Sequence, residues 1–77
     1  MSRLLPCKTR EIVRALEVLG FVFVRQKGSH AFYRNPNTGH TTVVPMHEGS
    51  DIDRSLLRVI LRESGVSVDE FLEALTK

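Results

Sequence analysis

Two turn signals close together constrain this chain more than any other feature. Lys27-Gly28-Ser29 stands just before a short run of alternating residues, and Asn35-Pro36-Asn37-Thr38-Gly39 stands just after it. The first is tight enough to reverse a strand, and the second reads as a type I turn closed by a left-handed glycine. Phe21 to Val24, aromatic and β-branched, runs on to Arg25 and Gln26 before the first turn. His30 to Asn35 fills the space between the turns, and a third strand runs from about His40 to Val44. Three short strands joined this way form an antiparallel meander. Pro45 has no N–H to give a ladder, so it ends the third strand or lies on an edge.

Helical periodicity flanks the meander. Ile12, Val13, Leu16 and Leu19 recur at helical spacing from about Lys8, and Gly20 stands where a left-handed stop is needed. The start of this helix is poorly marked, since only Pro6, Cys7 and Thr9 bound it. Met46 to Ile52 reads as a loop. Asp53 is a good cap for a second helix carrying Leu56, Leu57, Ile60 and Leu61, which Gly65 ends. Ser67 and Glu70 then form an S-x-x-E capping box, with Val66 and Phe71 as its hydrophobic staple, opening a short last helix. The predicted order is α-β-β-β-α-α, an α+β fold whose three-stranded antiparallel sheet is covered on one face by helices. Residues 1–77 show no linker, repeat or low-complexity tract, so one domain is expected.

Composition excludes several classes of function. Cys7 is the one cysteine, so neither a disulfide framework nor a thiolate zinc site can form within one chain, and a reducing cytoplasm is the expected setting. Met1 to Pro6 is too short for the apolar part of a signal peptide, and no apolar run approaches the ~20 residues of a membrane span. A domain of this size buries only about 60% of its unfolded surface, which favours a stabilising partner. Net charge is only +2, but no Asp or Glu occurs from Val18 to His47, whereas Arg25, Lys27, Arg34 and three histidines do. A local cationic excess suits a polyanion.

The residues Lys27-Gly28-Ser29-His30 carry the sharpest chemical signal. A basic side chain, a residue without Cβ, a hydroxyl and an imidazole meet at the entrance of a strand. Imidazole is the side chain whose unperturbed pKa, about 6.5, lets it take or give a proton near neutrality. RNA brings its own nucleophile, the 2′-hydroxyl, so cleaving it requires a proton acceptor and cations to hold the phosphate. Strand parity groups His30 with Phe32 and Arg34, so His30 either points away from the helices or lies at a strand end beyond their cover.

Gly28-Ser29-His30-Ala31-Phe32-Tyr33-Arg34, preceded by Leu19-Gly20-Phe21 and by Val24-Arg25-Gln26-Lys27, resembles the signature of the HicA toxin family. Val44-Pro45-Met46-His47-Glu48-Gly49 is similar to the family's P-x-H-x-G stretch, and Leu57-Arg58-Val59-Ile60-Leu61-Arg62 to its L-R-x-I-L-R pattern. The resemblance covers nearly the whole chain. It implies a fold like a double-stranded-RNA-binding domain, ribosome-independent mRNA cleavage with His30 as the catalytic histidine, and a HicB-type antitoxin covering the His30 surface. It also allows a higher-order toxin–antitoxin complex. Ser55-Leu56-Leu57 departs from the G-T-L of relatives, and the N-terminal cap lacks the usual Ser/Thr-Gly. Both differences bear on helix starts and leave His30 untouched.

Around His30, the residues expected to meet RNA are Arg25, Lys27, Gly28, Ser29 and Arg34. Tyr33 is either a base-stacking residue or core, and His47 either a second catalytic group or a loop histidine bonded to backbone. His40 beside Gly39 reads as a turn residue. Arg54, Arg58 and Arg62 recur every four residues as a cationic stripe, for phosphate contact or as a solvated helix face. Three histidines without helical pairing or clustered cysteines make a poor metal set, so no metal or other cofactor is expected. The competing function is a noncatalytic RNA-binding module, in which the same cations hold an A-form duplex and His30 is only a polar contact. A protein-interaction adaptor is a third reading, drawn from the acidic last helix with Asp69, Glu70 and Glu73.

Overall fold

The computed structural model describes residues 3–46, 49 and 51–77. In chain order these form β1 (Cys7–Lys8), α1 (Thr9–Val18), β2 (Val22–Lys27), β3 (His30–Arg34), β4 (Thr41–Pro45), β5 (Asp51–Ile52), α2 (Arg54–Ser64) and α3 (Val68–Leu75). The fold is α+β: β2, β3 and β4 make the expected antiparallel sheet in that spatial order, and the helices lie on one face of it. No described helix is long and apolar enough to cross a membrane.

Capping sets the helix ends. Gly20, at φ 101°, closes α1 by donating to Glu17 O, and Phe21 N–H reaches back to Leu16 O at 2.9 Å. This Schellman pattern commits Phe21 to the cap and the core rather than to the sheet. The first strand accordingly starts at Val22, one residue later than its composition predicts, and runs on to Lys27. At α2, the Asp53 carboxylate accepts from Leu56 N–H at 2.9 Å, and Gly65 ends the helix in the left-handed region. At α3 both bonds of the capping box form: Ser67 Oγ accepts from Glu70 N–H at 3.1 Å, and Glu70 Oε1 accepts from Ser67 N–H at 2.9 Å.

The expected loop Met46 to Ile52 ends in a strand, because Asp51–Ile52 pairs antiparallel with Cys7–Lys8 as a separate two-stranded ladder. Lys8 Nζ lies 3.7 Å from Asp51 Oδ1 across that ladder. The same pairing explains how α1 starts without a conventional cap. Lys8 is the N-cap residue, fixed by β5 on one side, and its N–H donates to Glu11 Oε1 at 2.8 Å.

The core lies between sheet and helices. Ile12 and Leu16 of α1, Leu57 and Ile60 of α2, Phe71 of α3 and Val44 of β4 are essentially inaccessible. Thr42 is the polar member of this layer, and its hydroxyl bonds with Ile60 O and Glu63 Oε1, both at 3.3 Å, tying α2 to the back of β4. Burying a hydroxyl is tolerable only when it is paired in this way.

Candidate functional site

Alternation along β3 decides which way His30 faces. Ala31 and Tyr33 are buried against the helical layer, at 0% and 4% exposure, while His30 and Arg34 are exposed and Phe32 is half-buried. Successive strand side chains point to opposite faces. His30 therefore stands on the face that no helix covers, the first of the two orientations that parity allows.

The turn before it is a two-residue hairpin, with Lys27 and His30 directly opposite each other. Gly28 has φ 59°, and no non-glycine residue among those described has positive φ, the signature of a type II′ turn with glycine first. A Cβ on Gly28 would meet nothing within 4 Å, so the requirement for glycine is conformational rather than steric. Ser29 O accepts from Met46 N–H at 2.6 Å, and Thr9 Oγ1 donates to Pro45 O at 3.0 Å, so the His30 end of the sheet is tied to β4 and to α1.

The hairpin register aims the neighbouring cations, and a β-bulge beyond them re-aims Phe23. Phe23 is opposite Tyr33 and Arg25 is opposite Phe32, so β2 spends two steps where β3 spends one. Without the bulge, Phe23, Arg25 and Lys27 would share a face. With it, Phe23 turns to the Tyr33 side, where the two rings meet edge to face at 5.7 Å, while Arg25 and Lys27 keep the His30 side that the hairpin register gives them. Bulges re-aim side chains in this manner.

The open face thus has three cross-strand rows: Lys27, His30 and Pro45; Arg25, Phe32 and Val43; Val22, Arg34 and Thr41. Directly opposite residues have Cβ atoms about 5 Å apart, which brings Lys27 within reach of whatever His30 touches. The Arg25 guanidinium lies 4.9 Å above the centre of the Phe32 ring. Because the sheet contains no acidic residue, none of these cations is neutralised within it. Among the described residues, none of Arg25, Lys27 and Arg34 forms a salt bridge. Such a surface can hold a phosphodiester close to an imidazole.

The other sequence candidates fall elsewhere. Tyr33 lies inside, and burial followed by the Glu17 charge pushes its phenol pKa up, so its ring is not a surface for a base. The stacking alternative for Tyr33 gives way to the core one, because it has the opposite strand parity to His30. Arg54, Arg58 and Arg62 are exposed on α2, in the layer behind the sheet, and are not gathered with His30. His40 sits against the end of α2, where a Cβ on Gly65 would come within 2.8 Å of its Nε2. His47 lies outside the described residues. Phe32 was not among the residues expected to meet RNA, although the parity that groups it with His30 was its signal. Among the described residues, no group of three or more His, Cys, Asp or Glu is placed to hold a metal ion.

The family model described as HicA toxin of bacterial toxin-antitoxin matches residues 9–66, from the start of α1 to just past α2. The chain belongs to the HicA toxin family. Comparison with curated proteins found no match. As a HicA-family toxin, the chain is one half of a toxin–antitoxin pair, in a family generally made up of ribonuclease toxins. The matched region contains the whole open sheet face, and α3 lies beyond it.

Proposed function

We propose that this HicA-family toxin is an endoribonuclease that cleaves mRNA on the open sheet face, with His30 as its catalytic base. The observation that carries this reading is the placement of His30: exposed, uncovered by helices, and directly opposite Lys27 on a face without carboxylates. In the proposed reaction His30 takes the proton of a ribose 2′-hydroxyl. The 2′-oxygen attacks the adjacent phosphorus, the P–O5′ bond breaks, and the 5′-oxygen leaves with its electron pair and takes a proton from water. The products are a 2′,3′-cyclic phosphate and a 5′-hydroxyl. Lys27 and Arg34 hold the phosphate and offset the charge that grows on its oxygens. No step calls for a metal ion.

The same surface is the proposed docking site of a HicB-type antitoxin. Beside the cationic face, the edge strand β2 leaves Val22, Phe23 and Val24 more than half exposed, at 51%, 52% and 53%. An unpaired edge with consecutive apolar residues invites a protein partner. A partner that covers β2 also closes access to His30.

Replacing His30 by Ala tests the catalytic assignment. A base contributes about 10²–10⁴-fold, so His30→Ala should lose RNA cleavage and growth arrest while keeping its fold and its RNA affinity. A variant that still cleaves RNA at the parent rate overturns the proposal. Full RNA affinity without cleavage in the parent protein instead supports the noncatalytic RNA-binding module.

A further inference from the structure

Next to the His30 row, the open face carries a feature that phosphate binding does not require. Phe32 is the one phenyl ring of β3 on that face, and it is only half-buried. The guanidinium of Arg25, placed opposite Phe32 by the register of the hairpin, lies 4.9 Å from the centre of the ring. Guanidinium and phenyl planes are the two side-chain surfaces on which unstacked bases lie in RNA complexes. Val43, opposite Phe32 on β4, extends the apolar floor on the far side. Phe32 is two residues along β3 from His30, about 7 Å, roughly one extended nucleotide. A base on this platform leaves the neighbouring phosphate over the row of Lys27 and His30.

We propose that Phe32 and Arg25 form a binding platform for one unpaired nucleobase beside the scissile phosphate, so that the toxin takes its RNA as a single strand rather than as a duplex. The proposal rests on the ribonuclease reading for its substrate class. It follows from the geometry of the platform that an A-form helix cannot use it, because paired bases keep their faces stacked inside the duplex. Charge complementarity commits the occupant to a polyanion: Arg25, Lys27 and Arg34 surround the ring, and the sheet holds no Asp or Glu. The aromatic ring then selects, among polyanions, one with a free π face.

The test separates binding from cleavage. The probe is a fluorescent 2′-O-methyl RNA dodecamer, which lacks the nucleophile, offered single-stranded or annealed to its complement. The parent protein should bind the single strand more tightly than the duplex. Phe32→Leu, which keeps an apolar side chain, should weaken single-strand binding about tenfold and leave duplex binding unchanged. Phe32→Tyr keeps the ring and should restore single-strand binding. Arg25→Lys, at an exposed position, keeps the charge but not the plane, and should weaken the single strand while sparing the duplex. Equal affinity of Phe32→Leu and the parent for the single strand overturns the platform, as does an equal loss on both probes or a parent preference for duplex. The His30→Ala cleavage assay is independent of all these readouts, so either proposal can fail while the other stands.

Discussion

The three free cations of the open face set a number that can be measured. If the charges of Lys27, Arg34 and Arg25 each neutralise one phosphate of a short single strand, Arg25 while its plane carries the base, binding releases counterions from three phosphates. The logarithm of its affinity should then fall against the logarithm of salt with a slope of about −0.7 per contact, or about −2 in all. Raising salt from about 50 to about 200 mM should cost about 20-fold in affinity. Arg34→Gln removes one contact, reducing the slope to about −1.4 and the loss over that salt range to about 7-fold. Arg58→Gln should change neither figure, because α2 lies behind the sheet and its stripe is not gathered with the His30 rows. The assay is fluorescence anisotropy with a non-cleavable 2′-O-methyl RNA tetramer, whose three phosphodiesters match the three contacts. A slope near zero refutes the electrostatic account of that face. A slope that falls as much in Arg58→Gln as in Arg34→Gln means that the strand runs onto α2, and that the site has been drawn too small.

Three further predictions concern the frame that holds the site. Phe71, fully buried though α3 lies beyond the family match, should cost about 3–5 kcal/mol when changed to Ala, against a total stability of about 4–12 kcal/mol for a domain of this length. Thermal melting should fall by more than about 12 °C, and a fall of only a few degrees would mean that α3 is dispensable. Ser67→Ala removes the hydroxyl that accepts from Glu70 N–H and should cost about 1 kcal/mol in urea unfolding, with no measurable change contradicting the cap. Burial, then Glu17, raises the Tyr33 pKa, so the folded state favours the neutral phenol. That contribution is complete below the ordinary phenol value of about 10 and is lost as pH rises through the higher folded value. Tyr33→Phe should lose less stability than the parent above about pH 10 in urea titrations, and equal losses would count against a buried phenol.

What could be read from the chain was local. Gly28 and the Asn35 to Gly39 turn carry their own chemistry, and the meander followed within a residue or two at each boundary. Asn35 shows why the boundary shifted: its amide donates to Leu19 O at 3.3 Å and its Oδ1 accepts from Asn37 N–H at 2.9 Å, so it belongs to the turn rather than to β3. Ser67 and Glu70 likewise announced their own box. The ladder between β1 and β5 was illegible, because two residues near one end of the chain meet two near residue 52 and neither pair has a strand signature alone. The bulge was illegible for the same reason, since it is a property of the pairing of β2 with β3. Without it, strict alternation from the Lys27–His30 pair would put Phe23 on the open face beside Arg25 and take it away from Tyr33. Parity separated His30 from Tyr33 correctly, but only the position of the helices could say which of the two was inside.

In the proposed reaction the 2′-hydroxyl of an RNA strand lying on the open sheet face is the nucleophile, and the imidazole of His30 takes its proton. The most direct test of this reaction is an RNA oligonucleotide with a single 2′-deoxy substitution at the nucleotide 5′ to the cut, compared with the unmodified strand and with the product ends mapped chemically. Cleavage should disappear at that bond alone, and the unmodified strand should yield a 2′,3′-cyclic phosphate and a 5′-hydroxyl. Cleavage of the deoxy-substituted bond, or products ending in a 3′-hydroxyl and a 5′-phosphate, would contradict it.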